Sequence, residues 1–202
     1  MGLKIVVFDY GGVICFTPSA EMRGELVRLS GLSADVLWDL DRKYRGEWDR
    51  GTYDGIGHYR FMLAKAGVVL DDDSLSRLAR ADIESWSHIN PDTFRLMKDI
   101  KAAGLRVGIL SNIPHDFPRD SVSVFAEADI AVYSCELGII KPEVGIYEKL
   151  VKKAGCLHEE IVFFDDKVDN VNKARELGIQ AFLWEGAGPA RKLISGMAGI
   201  AV

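Results

Sequence analysis

Short apolar runs that end abruptly in polar residues recur along this chain and alternate with stretches of helical periodicity. Residues 3–8 are apolar and rich in β-branched side chains, and Asp9 and two glycines follow closely. Such a run is typical of a buried parallel strand that ends in a loop. The same pattern predicts four further strands, at 105–110, 130–133, 161–164 and 180–184.

Helical segments separate most of these predicted strands. Asn90 followed by Pro91 predicts an N-cap and a first helical residue, and Gly104 is expected to end that helix. Further helices are expected at 143–154 and, as the last helix, at 168–177. Alternating strands and helices imply a parallel sheet covered on both faces. The expected fold class is therefore α/β, with a doubly wound parallel sheet.

A long helical stretch interrupts the alternation between the first and second strands. Apolar residues recur at helical spacing from about 16 to 89, and no convincing strand breaks the pattern. We therefore expect an α/β core formed by residues 1–15 and 90–202, and a small helical cap domain at 16–89. The acidic run 71–73 lacks the spacing of a calcium loop, so it is interpreted as a helix cap.

Composition narrows the class of function. The 202 residues include 25 Lys+Arg and 30 Asp+Glu, for a net charge of −5, which favours a small-molecule partner over nucleic acid or an anionic membrane. Cys15, Cys135 and Cys156 are odd in number and far apart, which suggests neither a disulfide framework nor a zinc site. The apolar run before Asp9 is too short for a signal peptide and no later run approaches a membrane-spanning length, so neither export nor anchoring is expected. A cytoplasmic location is expected, and the oligomeric state stays open.

Polar residues follow three of the predicted strands, and one lysine precedes a predicted helix. In open parallel sheets, ligands bind beyond the carboxyl ends of the strands. Three carboxylates meeting there would repel one another unless a cation were present, and hard oxygen ligands suit Mg²⁺. The residues concerned are Asp9, Ser111, Asn112, Lys141, Asp165 and Asp166. The sequence therefore predicts a magnesium site at this edge.

These residue types together are suited to phosphoryl transfer. A magnesium ion, a lysine, a hydroxyl, an amide and backbone N–H groups would neutralise a phosphoryl group and the charge that develops as it transfers. A carboxylate would serve as the nucleophile. A small phosphorylated substrate is the expected partner.

Four motifs carry a resemblance to a known family. They are Val6-Val7-Phe8-Asp9-Tyr10-Gly11-Gly12-Val13, Leu110-Ser111-Asn112, Lys141-Pro142 and Phe163-Phe164-Asp165-Asp166. In order and spacing they resemble the motifs of the haloacid dehalogenase superfamily. Arg50-Gly51-Thr52 is similar to cap sequences of its phosphatase-like members, in which a helical cap is inserted after the first motif. The resemblance implies a Rossmann-like core and a hydrolase.

The resemblance also implies a role for each matching residue. Asp9 would be the nucleophile that forms an aspartyl-phosphate, and Lys141 would steady the nucleophile and the phosphate. Ser111 and Asn112, with Lys141, would bind phosphate. Mg²⁺ would be held by Asp9, the backbone carbonyl of Gly11, Asp165 and Asp166, with Asp166 matching the pattern better than Asp165.

One position departs from the family pattern. Gly11 stands where most phosphatases of the superfamily have a second aspartate that acts as general acid and base. Such a group is commonly worth about two to four orders of magnitude in rate. His115, just beyond the second motif, is a hypothetical replacement in proton transfer.

Three functions therefore stay open. The first is a phosphatase that acts on a small metabolite such as a sugar phosphate. The second is a metal-independent 2-haloacid dehalogenase in which Asp9 attacks carbon; the paired Asp165 and Asp166 argue against it. The third is a binding or regulatory protein that keeps the phosphate pocket with little turnover.

Each motif residue also has a structural alternative. Asp9 could be a turn former, Asp165 and Asp166 could cap the following helix, and Lys141 could be solvated. Ser111 and Asn112 could be ordinary turn residues. A polar and aromatic cluster in the cap either faces the substrate or lies on the cap surface: Arg45, Trp48, Asp49, Arg50, Tyr53 and His58.

Overall fold

A five-stranded parallel sheet lies at the centre of the computed structural model, which describes residues 2–119, 122–200 and 202. The strand order is β3-β2-β1-β4-β5, and every neighbouring pair is parallel. The strands are β1 Ile5–Phe8, β2 Arg106–Ser111, β3 Ile130–Tyr133, β4 Ile161–Asp165 and β5 Gln180–Leu183. The predicted α/β class and all five predicted strands are confirmed.

Helices cover the sheet and fill the interval between its first two strands. Four of them lie between β1 and the next core helix: α1 Ala20–Ser30, α2 Ala34–Asp49, α3 Gly55–Ala64 and α4 Asp72–Ser85. The others are α5 Pro91–Ala102, the short α6 Ser123–Ala126 and α7 Ser134–Leu137, then α8 Val144–Ala154, α9 Val168–Glu176 and α10 Ala187–Ala198. No helix among the described residues is both long and apolar enough to cross a membrane.

The helix predicted at 168–177 is present as α9, but the prediction that it is the last helix was wrong, because α10 follows β5. Gly188, Pro189 and Gly196 disfavour a helix in this segment. Pro189 is tolerated because it lies in the first turn, where backbone N–H groups have no intrahelical partner. Ala190 and Ile194, four residues apart, are buried against the core and hold the helix in place.

Alternate residues of β1 pack into two hydrophobic clusters on opposite faces of the sheet. Val6 and Phe8 pack into one cluster with residues of α5 and α10. Ile5 and Val7 pack into the other with residues of α8 and α9. Burial on both faces explains why the strand is continuously apolar.

The four helices α1 to α4 bury a hydrophobic cluster of their own, centred on Leu37, Trp48 and Met62. Helix α4 begins after Asp71, whose side chain accepts a hydrogen bond from Ser74 N at 2.7 Å, as the cap interpretation predicts. Asn90 caps α5 in the same way, accepting from Asp92 N at 3.1 Å. Caps of this kind satisfy backbone N–H groups at the start of a helix.

The segments that enter and leave the four helices pair with each other in a short antiparallel ribbon. Cys15 forms an isolated bridge with Ile89. Phe16 N donates to His88 O, and Asn90 N donates to Ile14 O, both at 2.9 Å. The helical segment is therefore joined to the sheet by one paired connection.

His58 of α3 is completely buried between Trp48 and Tyr59, with ring centroids 4.9 and 5.1 Å away. Neither of its ring nitrogens hydrogen-bonds to a described residue. Burial, and secondarily the charge of Arg45, lowers the pKa of His58 to about 3. The folded protein therefore disfavours the protonated ring.

We expect this histidine to make the protein lose stability in acid. The unfolded chain binds the proton below a pKa of about 6.5 and the folded chain does not, so the free energy of unfolding falls as the pH falls through this range. Between pH 7 and about pH 4.5 the loss is about 2.5 kcal/mol. Urea unfolding of wild type and His58→Phe at both pH values measures it. Equal losses in the two proteins would contradict the prediction.

Candidate active site

The polar residues that follow the strands meet at one edge of the sheet, beneath α1 to α4. A cavity of about 290 Å³ separates the sheet edge from these helices. Its wall on the sheet side includes Asp9, Gly11, Asn112, Lys141, Asp166 and Lys167, and its wall on the helical side includes Asp41, Arg45, Asp49 and Trp86. A small molecule fits a cavity of this size.

Lys141 is the centre of a buried ionic cluster. Its Nζ lies 2.7 Å from Asp9 Oδ1 and 2.7 Å from Asp165 Oδ2, and it donates to Leu110 O at 2.9 Å. These three partners use all three N–H groups of the ammonium. Burial lowers the pKa of Lys141, but Asp9 and Asp165 outweigh it and hold that pKa above its ordinary value. Lys141 is therefore a buried cation and not a solvated lysine.

Asp9 is almost fully buried, and its Oδ1 also accepts a hydrogen bond from Tyr10 N at 2.7 Å. Burial is the largest influence on its ionisation. It raises the pKa of Asp9 to about 7, Lys141 opposes the rise, and Asp165 and Asp166 add to it. A cation bound beside Asp9 would favour the ionised form. Asp9 does not cap a helix, since α1 begins only at Ala20.

Asp165 has four hydrogen bonds from donors of the protein. Its Oδ1 accepts from Lys167 N at 2.8 Å and from Asn170 Nδ2 at 2.9 Å. Its Oδ2 accepts from Lys141 Nζ at 2.7 Å and from Asn170 Nδ2 at 3.0 Å. The carboxylate thus anchors the lysine and the start of α9 together. The sequence analysis did not include Asn170, which lies five residues after Asp165 in the first turn of α9.

Asp166 is exposed and lies beside the glycine pair that follows β1. A Cβ at position 12 would be 2.5 Å from Asp166 Oδ2, and Gly12 has a φ of +74°. Only glycine suits both the backbone conformation and this close approach. Burial, followed by the charge of Asp165, raises the pKa of Asp166.

The three aspartates fit a divalent cation. One carboxylate oxygen from each of Asp9, Asp165 and Asp166 lies within 4.8 Å of the others. Burial is the largest cause of the raised pKa values of Asp9 and Asp166, and the charges of neighbouring acids add to both. A cation bound among these acids would lower both pKa values. Oxygen ligands of this kind suit Mg²⁺. Asp9 and Asp166 are better placed as ligands than Asp165, because both oxygens of Asp165 already accept hydrogen bonds.

Asn112 and Ser111, which are adjacent in the sequence, differ in their position relative to the cavity. Asn112 Oδ1 accepts from Lys141 N at 2.8 Å, and its Nδ2 donates to Lys141 O at 3.1 Å. The side chain of Asn112 therefore fixes the loop that carries Lys141. Ser111 is buried at the end of β2, and its hydroxyl makes a long hydrogen bond of 3.4 Å to Asn112 O. The cavity is lined by Asn112 and not by Ser111.

Trp86, at the end of α4, covers Gly11. A Cβ at position 11 would lie 3.2 Å from Trp86 Cζ3. Gly11 does not have a positive φ, so the backbone conformation does not require glycine there. No local pattern in the sequence could have indicated this contact, because 75 residues separate the two positions.

The helical wall of the cavity carries a second ionic cluster. Arg45 of α2 lies 3.1 Å from Asp49, 2.8 Å from Asp82 and 3.7 Å from Asp41. Asp82 Oδ2 also accepts from Tyr59 OH at 2.8 Å. Asp41 was missed in the sequence analysis, although the spacing 41, 45, 49 places all three residues on one face of a helix.

The predicted cap cluster is divided among three environments. Arg45 and Asp49 line the cavity. Trp48 and His58 are buried inside the helices, Arg50 forms an ion pair with Glu143 at 2.7 Å, and Tyr53 stacks on Phe61. His115 is exposed, and its ring lies against Gly51 instead of lining the cavity. The position of His115 therefore gives no support to a role in proton transfer.

Comparisons with known proteins agree with this architecture. A family model described as haloacid dehalogenase-like hydrolase matches residues 3–178. The chain is 26% identical to a phosphatase of Mycobacterium tuberculosis, over 95% of this chain and 91% of that protein. It is 29% identical to an (S)-2-haloacid dehalogenase of Pseudomonas fluorescens, over 85% of this chain and 80% of that protein.

The fold is also similar to solved structures. One is a HAD family enzyme from Bacteroides thetaiotaomicron in complex with magnesium and inorganic phosphate. The TM-score is 0.65 at 19% identity, and the match covers 92% of this chain and 96% of that one. At 19% identity, this similarity shows a shared fold and nothing more.

Proposed function

We propose that this chain, which belongs to the haloacid dehalogenase-like hydrolases, is a magnesium-dependent phosphatase that acts on a small phosphorylated metabolite. The observation that carries the proposal is the buried pair of Asp9 and Lys141, 2.7 Å apart, with the exposed carboxylate of Asp166 beside it. A nucleophile, a fixed cation and a carboxylate ligand for a metal thus share one wall of the cavity.

Asp9 is the proposed nucleophile. In the first step its carboxylate attacks phosphorus, the bond between phosphorus and the leaving oxygen breaks, and the phosphoryl group is carried on Asp9. In the second step a water molecule attacks phosphorus and the bond to Asp9 breaks, which releases phosphate. Tyr10 N and Lys141 Nζ both bond to Oδ1, so the carboxylate is held in one orientation for the attack.

Lys141 supplies a positive charge beside the reacting group. Because Asn112 fixes the backbone of Lys141 and Asp165 fixes its ammonium, this charge is in place before the substrate arrives. Groups arranged in advance around developing charge are a major source of catalysis. Asp9, Asp166 and the backbone carbonyl of Gly11 would hold Mg²⁺, whose charge would neutralise the phosphoryl oxygens. We propose Asn112, which lines the cavity, as a further phosphate contact. The predicted role of Ser111 in phosphate binding gains no support from its position, because Ser111 does not line the cavity.

We propose that residues 16–89 form a cap domain over the site, and that residues 1–15 and 90–202 form the core. The separate hydrophobic cluster of α1 to α4 supports this division. The contacts that join the proposed cap to the core include a hydrogen bond from Trp48 Nε1 to Asp116 Oδ2 at 2.8 Å, the ion pair of Arg50 with Glu143, and a hydrogen bond from Ser134 to Asp49 O. A cap in this position excludes water from the reaction.

The similarity to a haloacid dehalogenase makes dehalogenation the second candidate. In that reaction Asp9 attacks carbon, halide leaves and no metal is needed. Asp166 argues against it, because its carboxylate stands beside Asp9 on the cavity wall and, without a metal, would repel the carboxylate of a 2-haloacid. A protein that binds phosphate without turnover is the third candidate, and kinetics separate it from the first.

We expect phosphate release to require Mg²⁺ and the carboxylate of Asp166. Release is measured from a panel of phosphorylated metabolites with Mg²⁺ and with EDTA. Asp166→Asn should lower Mg²⁺-dependent release at least about 100-fold, because it removes a ligand of the metal. Asp169→Asn is the matched control, since Asp169 is an equally exposed acid three residues away that does not line the cavity.

The metal site is also tested without turnover. Mg²⁺ should raise the thermal unfolding midpoint of wild type and Asp169→Asn more than that of Asp166→Asn, because ligands that bind only the folded state stabilise it. If no phosphorylated compound released phosphate in a Mg²⁺-dependent manner, the phosphatase proposal would be rejected. Chloride release from 2-chloropropionate without metal would establish dehalogenation instead.

A further inference from the structure

The indole ring of Trp86 crowds the position that a side chain at position 11 would enter. A Cβ built on Gly11 would have Trp86 Cζ3, Cε3 and Cη2 as its nearest neighbours, at 3.2, 3.6 and 3.9 Å. All three are ring carbon atoms. The wall beside the nucleophile therefore presents carbon at the position where a carboxyl group would offer a proton.

Several contacts hold Trp86 in this place. Tyr10 OH donates to Trp86 O at 2.9 Å, and Trp86 Nε1 donates to Asp82 Oδ1 at 3.3 Å. Asp82 is itself fixed, because its Oδ2 accepts from Arg45 and Tyr59 at 2.8 Å. The one N–H group of the indole is therefore directed to Asp82 and does not serve as a donor to a leaving group.

The other groups on the cavity wall that carry protons either already have hydrogen-bond or ion-pair partners, or can be tested as proton donors by substitution. Lys141 uses its three N–H groups on Asp9, Asp165 and Leu110 O. Asp41 and Asp49 form ion pairs with Arg45, although burial raises the pKa of both acids. Asp166 is the proposed metal ligand, and Tyr10 OH donates to Trp86 O. Among the described residues that line the cavity, Asp41, Asp49 and Lys167 are therefore the competitors for proton transfer to a leaving group.

We infer that the enzyme hydrolyses phosphates of acidic hydroxyl groups, whose oxygen leaves without taking a proton from the protein. This inference rests on the proposed phosphatase function. In the first step the electron pair of the broken phosphorus–oxygen bond stays on the leaving oxygen, which takes its proton from solvent. Phenols, enols and anomeric hydroxyls can leave in this way, whereas primary alcohols leave poorly without general acid catalysis.

The first test compares leaving groups of similar size. We expect kcat/KM of the wild-type enzyme with Mg²⁺ to fall steeply from 4-nitrophenyl phosphate to phenyl phosphate and then to benzyl phosphate. The last step should cost at least about 100-fold, the smallest usual contribution of a general acid. The ratio kcat/KM is the correct quantity because it reports the steps up to loss of the leaving group.

The second test places an acid at position 11. Trp86→Leu with Gly11→Asp should raise kcat/KM for benzyl phosphate about 100-fold over Trp86→Leu alone, with little change for 4-nitrophenyl phosphate. Gly11→Asp alone should give a smaller gain, because the indole blocks the new carboxyl group. Circular dichroism and the Mg²⁺-induced shift in unfolding midpoint show that each variant folds and binds metal.

Each outcome has a defined meaning. Asp41→Asn, Asp49→Asn and Lys167→Met should all keep the steep dependence on the leaving group. Equal kcat/KM for phenyl and benzyl phosphate in the wild type would overturn the inference, and this result does not depend on any variant folding. A shallow dependence that becomes steep in one of the three variants would assign the acid to that residue and also overturn it. If none of the three compounds is hydrolysed but a phosphate ester of a primary alcohol in the metabolite panel is, the inference is overturned and the phosphatase function stands. If no compound of either set is hydrolysed, the phosphatase function itself fails.

Discussion

Replacing Asp9 by asparagine should lower phosphate release at least about 10⁴-fold while the protein stays folded, because an amide cannot replace a carboxylate nucleophile. Asparagine keeps an oxygen that can accept from Tyr10 N and Lys141 Nζ, the two donors that now bond to Asp9 Oδ1. The measurement is single-turnover release of phosphate with Mg²⁺, alongside the thermal unfolding midpoint.

Acid-quenched mass spectrometry provides a second readout for the same variant. With a substrate whose leaving group departs readily, the wild-type chain should carry a phosphoryl group on the peptide that contains Asp9, and Asp9→Asn should carry none. A variant that retained one tenth of the wild-type rate would place the nucleophile elsewhere.

Replacing Lys141 by methionine should lower the free energy of unfolding by about 3–5 kcal/mol and also abolish turnover. The substitution leaves Asp9 and Asp165 buried without their shared counter-ion, and removal of one partner from a buried ionic cluster has a cost of this size. Urea unfolding at neutral pH measures the loss. A change below about 1 kcal/mol, the value typical of a surface pair, would contradict it.

Two further experiments distinguish the cost of unpaired buried charge in Lys141→Met from a simple loss of packing. The double variant Lys141→Met with Asp165→Asn removes one uncompensated charge, so it should recover part of the stability and none of the activity. Burial already raises the pKa of Asp9, and Lys141→Met removes the charge that opposes this rise. The folded state of the variant would therefore bind a proton at Asp9 at a pH where the unfolded chain does not. Its stability should therefore rise as the pH falls from 7 to about 5. His58 has the opposite effect, because it makes the free energy of unfolding decrease as the pH falls.

The fold was predictable because burial on both faces makes the central strands β1 and β4 nearly continuous apolar runs. Residues 161–164 are apolar and are followed by two aspartates, and the strand ends at Asp165. The polar residues after β1, β2 and β4 were expected to converge, since parallel strands end at one edge, and they do. The roles of these residues in catalysis remain predictions.

Other features depended on contacts that the local sequence does not encode. Helix α10 was not predicted because two glycines and a proline obscure its helical pattern. Only in the folded chain is it apparent that one face of this helix, with Ala190 and Ile194, is buried. The departure at Gly11 was visible in the sequence, but its neighbour Trp86 was not. The spacing of Arg45 and Asp49 shows that the two residues share one face of a helix. It does not show that this face lines the cavity.

If the proposed cap moved as a rigid body about the paired ribbon at Cys15 and Ile89, the position of this ribbon would determine how the cavity changes. A rigid body that rotates about a pivot displaces each of its atoms in proportion to the distance from that pivot. Trp86 lies two residues before His88 of the ribbon, and its backbone carbonyl accepts a hydrogen bond from Tyr10 of the core. Trp86 is therefore close to the pivot and would be displaced only a little. The carbon wall beside Gly11 would then be the same whether the cap is open or closed, and discrimination between leaving groups would not depend on cap closure.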